Sequence, residues 1–174
     1  MNWKGGRTIY KGTKIDLVVV PVDENIESAI IVHPGAAVIL PLMPDSTVVM
    51  IRNRRIAVQE SLLELPAGTI SPPESPEDCA KRELAEETGY RSDSLEFLGA
   101  FYSAPGISTE IMHSYLALNL EDIGQSLEPD ETITVEYQPM QKIHKMILNG
   151  EIRDSKTLST FLLYWERHGF KNET

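Results

Sequence analysis

The residues able to do chemistry are concentrated between Gly68 and Tyr90. Gly68 is followed after five residues by Glu74. After seven more comes Arg82-Glu83-Leu84-Ala85-Glu86-Glu87-Thr88-Gly89-Tyr90. Four carboxylates, one arginine and two glycines thus stand at fixed offsets within 23 residues. At ordinary residue usage, chance yields seven such fixed positions on the order of 10⁻⁹ times per window. A solvated acidic helix is the competing reading, and the improbability of the pattern weighs against it. Like charges at this density repel one another unless a cation stands among them. Hard oxygen ligands favour Mg²⁺ or Mn²⁺, and Mg²⁺ is held by a few carboxylates together with substrate phosphates. Such a cluster has what a site needs to hold divalent cations against a pyrophosphate.

A helix must carry these residues. Ser75 can cap it, Pro76 suits its first position, and Asp78 follows the cap by three. Gly89 suits the left-handed residue just past its end. The pattern predicts a helix over residues 76–88. At 100° per residue, Glu83 and Glu87 share a face with Glu86 beside them, the three spanning roughly 100° of arc. Ala80 and Leu84 lie next to that arc and pack inward. Arg82 stands four residues before Glu86 and can also reach Glu74, so its expected work is orienting carboxylates. Before the helix, Leu65-Pro66-Ala67-Gly68 reads as a strand end turning into a loop.

This spacing resembles the Nudix box of the Nudix hydrolases, with Tyr90 in a slot where an aliphatic residue is commoner. The resemblance extends along the chain from about residue 15. His33-Pro34-Gly35-Ala36-Ala37-Val38 is similar to the H-P-G-A-V segment of ADP-ribose pyrophosphatases and related nucleoside-diphosphate-sugar hydrolases. Glu64-Leu65-Pro66-Ala67-Gly68, Ser103-Ala104-Pro105-Gly106-Ile107-Ser108-Thr109-Glu110 and Gly150-Glu151-Ile152-Arg153-Asp154-Ser155-Lys156-Thr157-Leu158 look like further segments of that subfamily.

The resemblance implies an α+β architecture, the Nudix-fold αβα sandwich with a mixed sheet and an N-terminal antiparallel sheet. It implies that Glu83, Glu86, Glu87 and the Ala67 carbonyl hold Mg²⁺, or Mn²⁺. Glu86, Arg82 and Glu110 take catalytic roles, Glu110 as the loop base that deprotonates or orients water. An ordinary exposed loop acid is the alternative for Glu110. Arg55, Arg52, Glu64 and Pro105 become substrate-binding candidates. One stretch departs: Arg52-Asn53-Arg54-Arg55 stands where the family usually has R-Q-Y-R, which leaves the grip on base or sugar open. If strand alternation holds, Arg52 and Arg54 share one face and Asn53 and Arg55 the other. Only one pair can then face substrate, and the resemblance favours Arg55. The implied reaction is Mg²⁺-dependent hydrolysis of ADP-ribose to AMP and ribose 5-phosphate. Hydrolysis of another nucleoside diphosphate sugar, such as GDP-mannose, is the alternative.

The 174 residues suffice for a compact domain with a real core, and 41% are apolar. A formal net charge of −10 argues against nucleic acid or an anionic membrane as partner. It also means that an anionic substrate meets local cations within a repulsive field. Cys79 is the only cysteine, which excludes an intrachain disulfide framework and suits a packing role. Met1–Gly6 lacks a following apolar h-region, and no run of 18 apolar residues exists, so a cytoplasmic, membrane-free protein is expected.

Residues 1–14 read as an edge strand or loose arm, and 15–22 and 27–33 as strands joined at Asp23-Glu24-Asn25. Residues 36–42 and 47–52 read as a hairpin turning at Pro44-Asp45-Ser46. Strands are expected over 95–102, 111–118 and 132–137. Helices are expected from about 139 to 149 and after Asp154, the second presenting Leu158, Phe161, Leu162 and Trp165 on one face. By resemblance, residues 1–33 are expected to form a dimerisation segment and 34–174 the catalytic domain. In related ADP-ribose pyrophosphatases that first sheet is exchanged in a homodimer. Its runs Val18-Val19-Val20 and Ile30-Ile31-Val32 could equally be buried within a monomer.

Overall fold

A computed structural model describes residues 5–127 and 132–169. Strands β1 (Arg7–Lys11), β2 (Asp16–Pro21) and β3 (Glu27–Val32) form an antiparallel sheet in chain order. Next come β4 (Ala36–Pro41), β5 (Thr47–Arg55), β6 (Glu60–Glu64) and β7 (Ala67–Thr69). Helix α1 (Pro76–Glu83) runs directly into a π-helical turn, Leu84–Thr88. Then follow β8 (Tyr90–Arg91), β9 (Ser94–Tyr102), β10 (Ile111–Leu118), β11 (Glu121–Asp122) and β12 (Ile133–Pro139). Helices α2 (Met140–Leu148) and α3 (Ser155–His168) close the chain.

The central sheet has the order β7-β4-β10-β9, with β4 and β10 parallel and the outer pairs antiparallel. A second sheet has the order β12-β5-β6. All six residues of β4 are buried, which marks a strand covered on both faces. Alternation divides them. Ala37 and Ile39 join Cys79, Ala80 and Leu84 under α1. Val38 and Leu40 face Met50, Leu63, Leu65, Ile143 and Phe161, contributed by the second sheet, the β6–β7 connection, α2 and α3. Each fully buried side chain of this size contributes about 1.5–3 kcal/mol. The result is the expected α+β arrangement with a mixed sheet and a separate N-terminal antiparallel sheet.

Several elements differ from expectation. β4 and β5 are not a hairpin: they belong to different sheets, pack through side chains, and are bridged beside β4 at the isolated pair Leu42↔Val48. β4 needs partners on both sides and finds them in β7 and β10, while Pro41 and Pro44 interrupt any ladder between it and β5. β5 continues beyond Arg52 to Arg55 and pairs with β6, a strand absent from the expectation. Its charged residues read as loop, yet the ladders on either side keep them extended. Leu162 is 57% exposed, one helical step away from the buried Phe161, so it leaves the packed face of α3. The helix caps agree with expectation. Ser75 Oγ accepts from the Asp78 N–H at 3.1 Å, and Gly89 adopts φ 77°. Asp154 caps α3 by accepting from the Thr157 N–H.

Phe161 is fully buried and stacks on Trp165 with ring centroids 5.6 Å apart. Phe161→Ala is expected to lower unfolding free energy by about 3–5 kcal/mol in urea titrations, without a change in secondary structure.

Candidate active site

The C-terminal end of the α1 segment and the β7 turn meet at close quarters. A Cβ added to Gly68 would lie 1.8 Å from Glu83 Oε1. Glycine is required here for space, so that the carboxylate can lie against the main chain. One residue earlier, the Ala67 N–H donates to Glu87 Oε2 at 2.8 Å. The two glutamates are therefore fixed against β7 from the helix side. Both side chains are buried, whereas Glu86 is about one-third exposed. The π-turn over Leu84–Thr88 widens the helix just where Glu86 and Glu87 project. Such turns concentrate at functional sites.

Arg82 ties this group together. Its Nη1 donates to Glu83 Oε1 at 2.7 Å and to Glu86 Oε2 at 2.9 Å. Its Nη2 donates to Glu74 Oε1 at 2.8 Å and to the Thr69 carbonyl at 3.2 Å. Glu74 also accepts the Ser71 N–H at 2.7 Å. The guanidinium beside Glu74 holds that carboxyl below the usual carboxylate range, and the carboxylates in turn raise Arg82. The expected orienting work of Arg82 is thus its observed geometry. Cys79, beneath the helix, has its thiol pushed up to about 12 by burial. It is a packing residue without thiolate character at neutral pH.

Two adjoining cavities form one cleft. The first, about 530 Å³, is lined by Gly68, Arg82, Glu83, Glu86 and Glu87, with Asn53 and Lys14 also on its wall. The second, about 330 Å³, is lined by Glu64, Ser103, Glu110 and Lys156. Arg55, Ala67, Gly68 and Thr69 line both. The structure therefore brings Glu83, Glu86 and Glu87, Ala67, Arg55 and Glu110 to one cleft from four separate segments of chain. The Glu110 loop is anchored on β3, where Ile31 N–H donates to the Ile107 carbonyl and Thr109 N–H to the Ile31 carbonyl.

The structure places the other three substrate-binding candidates differently. Arg52 is paired with Glu136 of β12 at 2.5 Å and lines neither cavity, because it points to the opposite face from Asn53 and Arg55. Glu64 is fully buried and clamped by Arg55 Nη2 at 2.5 Å and Lys156 Nζ at 2.6 Å. Its observed work is holding those two cations. Pro105 lines a separate pocket beside Ser28, Ile30 and Tyr102, away from the cleft. Sequence reasoning missed Lys156 as a site residue. Its signal was the segment Gly150–Leu158, whose charged residues sit at the α3 start.

The family model described as the NUDIX domain matches residues 32–161. The chain belongs to the Nudix family. An ADP-ribose pyrophosphatase of Bacillus subtilis (strain 168) is 34% identical to this Nudix chain over 155 residues, 86% of this chain and 84% of that protein. A GDP-mannose pyrophosphatase of Yersinia enterocolitica is 36% identical over 147 residues, 78% of this chain and 74% of its own length. A methanol dehydrogenase activator of Bacillus methanolicus is 32% identical, with 83% and 80% covered. A solved structure described as an ADP compounds hydrolase superposes with TM-score 0.75 at 22% identity, covering 95% and 94% of the two chains. That likeness establishes the Nudix fold. The chain is thus a Nudix hydrolase.

Hydrolases of this family generally use a divalent metal. The Nudix cleft fits one by donor chemistry: Glu83, Glu86 and Glu87 present hard oxygens on one cavity wall beside Gly68 and Ala67. One guanidinium faces Glu74, Glu83 and Glu86, so negative charge is in excess there. Among the described residues, no three such side chains are already gathered into a ligand cage. The Arg82 bonds to Glu83 and Glu86 take up some of the oxygens that an ion would use.

Gly68→Ala forces a methyl group into the Glu83 carboxylate. It is expected to cut turnover on the order of 10²-fold, with circular dichroism unchanged; steady-state kinetics on the purified variant checks this.

Proposed function

We propose that this Nudix hydrolase cleaves the pyrophosphate bond of ADP-ribose, giving AMP and ribose 5-phosphate. One observation carries the reading. The box glutamates and Glu110 line adjoining cavities whose common wall includes Arg55. The Bacillus subtilis pyrophosphatase supports the choice of substrate through similarity along most of both chains.

Mg²⁺ held by Glu83, Glu86, Glu87 and the Ala67 carbonyl would neutralise phosphate charge and lower the pKa of a bound water. Arg82 keeps Glu83 and Glu86 turned to the cleft through its two Nη1 bonds. Arg55 is committed to Glu64 through Nε and Nη2. Its Nη1 edge keeps N–H donors for a diphosphate oxygen. Glu110, from the opposite loop, accepts the proton of the attacking water as base.

A GDP-mannose hydrolase is the second reading. Asn53, on the cleft wall, and Arg54 replace the glutamine and the aromatic residue usual in the subfamily, and GDP-mannose pyrophosphatases are also similar. The dimer is part of the proposal. Residues 1–33 act as the subunit-pairing segment and 34–174 as the catalytic domain. Ile9 and Tyr10 on the first sheet, and Val22 and Ile26 in its β2–β3 turn, are each more than half exposed, which favours cover by a second copy. The reading places the enzyme in the cytoplasm. Among the described residues, no helix is long and apolar enough to cross a membrane.

With Mg²⁺ and a panel of diphosphate sugars, ADP-ribose is expected to turn over fastest; preference for GDP-mannose would select the second reading. Glu86→Gln is expected to reduce kcat about 10³-fold and Glu110→Gln about 10²-fold, both with the native melting profile. A silent Glu110→Gln would remove Glu110 from the base role.

A further inference from the structure

His33 ends the β3 segment and is 10% exposed at its side chain. Its main chain is locked to the Glu110 loop in both directions. The His33 N–H donates to Thr109 Oγ1 at 2.9 Å, and Thr109 Oγ1 donates to the His33 carbonyl at 3.2 Å. The ring is fixed from the other side, because the Gly35 N–H donates to Nδ1 at 3.0 Å. A backbone N–H can only donate, so Nδ1 is an acceptor and carries no proton. The ring proton therefore belongs on Nε2. That nitrogen lies 3.5 Å from Glu110 Oε1 and 3.5 Å from Thr69 Oγ1. Thr69 and Glu110 both line the cleft.

The geometry points to His33 as a positioning residue for Glu110: its Nε2–H, oriented by the Gly35 amide, holds the Glu110 carboxylate toward the cleft. This rests on the pyrophosphatase reading and on Glu110 as base. A carboxylate on a loop has rotamers that leave the cavity, and a donor fixed by a second bond selects among them. The device differs from the loop's main-chain anchors on Ile31. Those set where the backbone of residues 107–109 runs, whereas the imidazole acts on the carboxylate itself.

Two substitutions separate the ring's two nitrogens. Asparagine offers its Oδ1 near the Nδ1 position and keeps an acceptor for Gly35 while removing the Nε2 donor. Glutamine extends its amide N–H₂ toward the Nε2 position. With ADP-ribose and Mg²⁺, His33→Asn is expected to lower kcat about tenfold with KM within about twofold, and His33→Gln to recover most of the loss. In a Glu110→Gln background, His33→Asn is expected to cost less than about twofold, since the residue acts through the carboxylate already altered. Wild-type kcat in His33→Asn, a loss confined to KM, or an equal loss in both backgrounds would overturn the proposal. Imidazole nitrogen NMR gives a readout independent of turnover, with the four histidines assigned by single substitution. His33 is expected to show a protonated Nε2 and a bare Nδ1, with the Nε2 resonance moving in Glu110→Gln. The opposite tautomer, or an unmoved resonance, would sink the inference. Absence of wild-type turnover on any diphosphate sugar would instead fail the pyrophosphatase reading, leaving the spectrum to judge His33.

Discussion

The cleft depends on keeping Glu74, Glu83 and Glu86 together against their own repulsion. Arg82 does this with one planar group that reaches Glu74, Glu83, Glu86 and the Thr69 carbonyl at once. A lysine could not, since its point charge lacks a fork of donors in fixed directions. The network also links the helix to the loop between β7 and α1, because Glu74 is bound at the same time by the Ser71 N–H. Helix, loop and strand thus share one set of charge-assisted bonds. A cation entering the cavity would compete with Arg82 for Glu83 and Glu86. The arginine therefore holds this arrangement together and sets the electrostatic background against which an ion would bind.

That network needs a rigid support, and β4 provides it. The strand is buried on both faces and pairs with β7 on one side and β10 on the other. β7 carries Ala67 and Gly68 to the box helix, while the loop between β9 and β10 carries Glu110. Both halves of the cleft are therefore referenced to one central strand. The packing under α1 is tight: Ala37, Cys79, Ala80 and Leu84 are fully buried. The small side chains at 37 and 80 let the helix approach the sheet closely enough for Glu83 to rest on Gly68.

What the sequence made legible follows from range. The box helix was readable because its caps, offsets and apolar residues are all local, and the structure begins it at Pro76 with Ser75 as cap. The π-turn was not, since the apolar and acidic pattern alone is compatible with a regular α-helix. β6 was hidden because Arg54, Arg55 and Glu60 look like loop residues, although a strand held between ladders tolerates charges at its edge. Strands that neighbour in sequence often pair, whereas β4, buried on both faces, pairs with the distant β7 and β10 instead of β5. Among site residues, alternation put Arg55 and Asn53 on one face, and both line the first cavity, but only the resemblance chose that face over the one carrying Arg52. The work of Glu64 could not be read, because its partner Lys156 lies 92 residues away.

Glu64 explains how an acidic protein keeps cations available to an anion. A buried carboxylate needs compensation, and here Arg55 and Lys156 supply it together. Arg55 uses Nε and Nη2 for this purpose, and the Glu64 carboxylate raises its pKa further. The pairing costs the arginine little of its usefulness, because a guanidinium has five N–H donors and a bidentate carboxylate occupies only one edge. What it provides is orientation: an unpaired arginine on a mobile strand end would sample many rotamers, whereas this one is pinned along the wall common to both cavities. Lys156 is pinned in the same way by Glu64 and by Asp154 at 3.0 Å. The buried glutamate thus serves a phosphate ligand indirectly, by fixing where positive charge stands in a molecule whose overall field would repel that ligand.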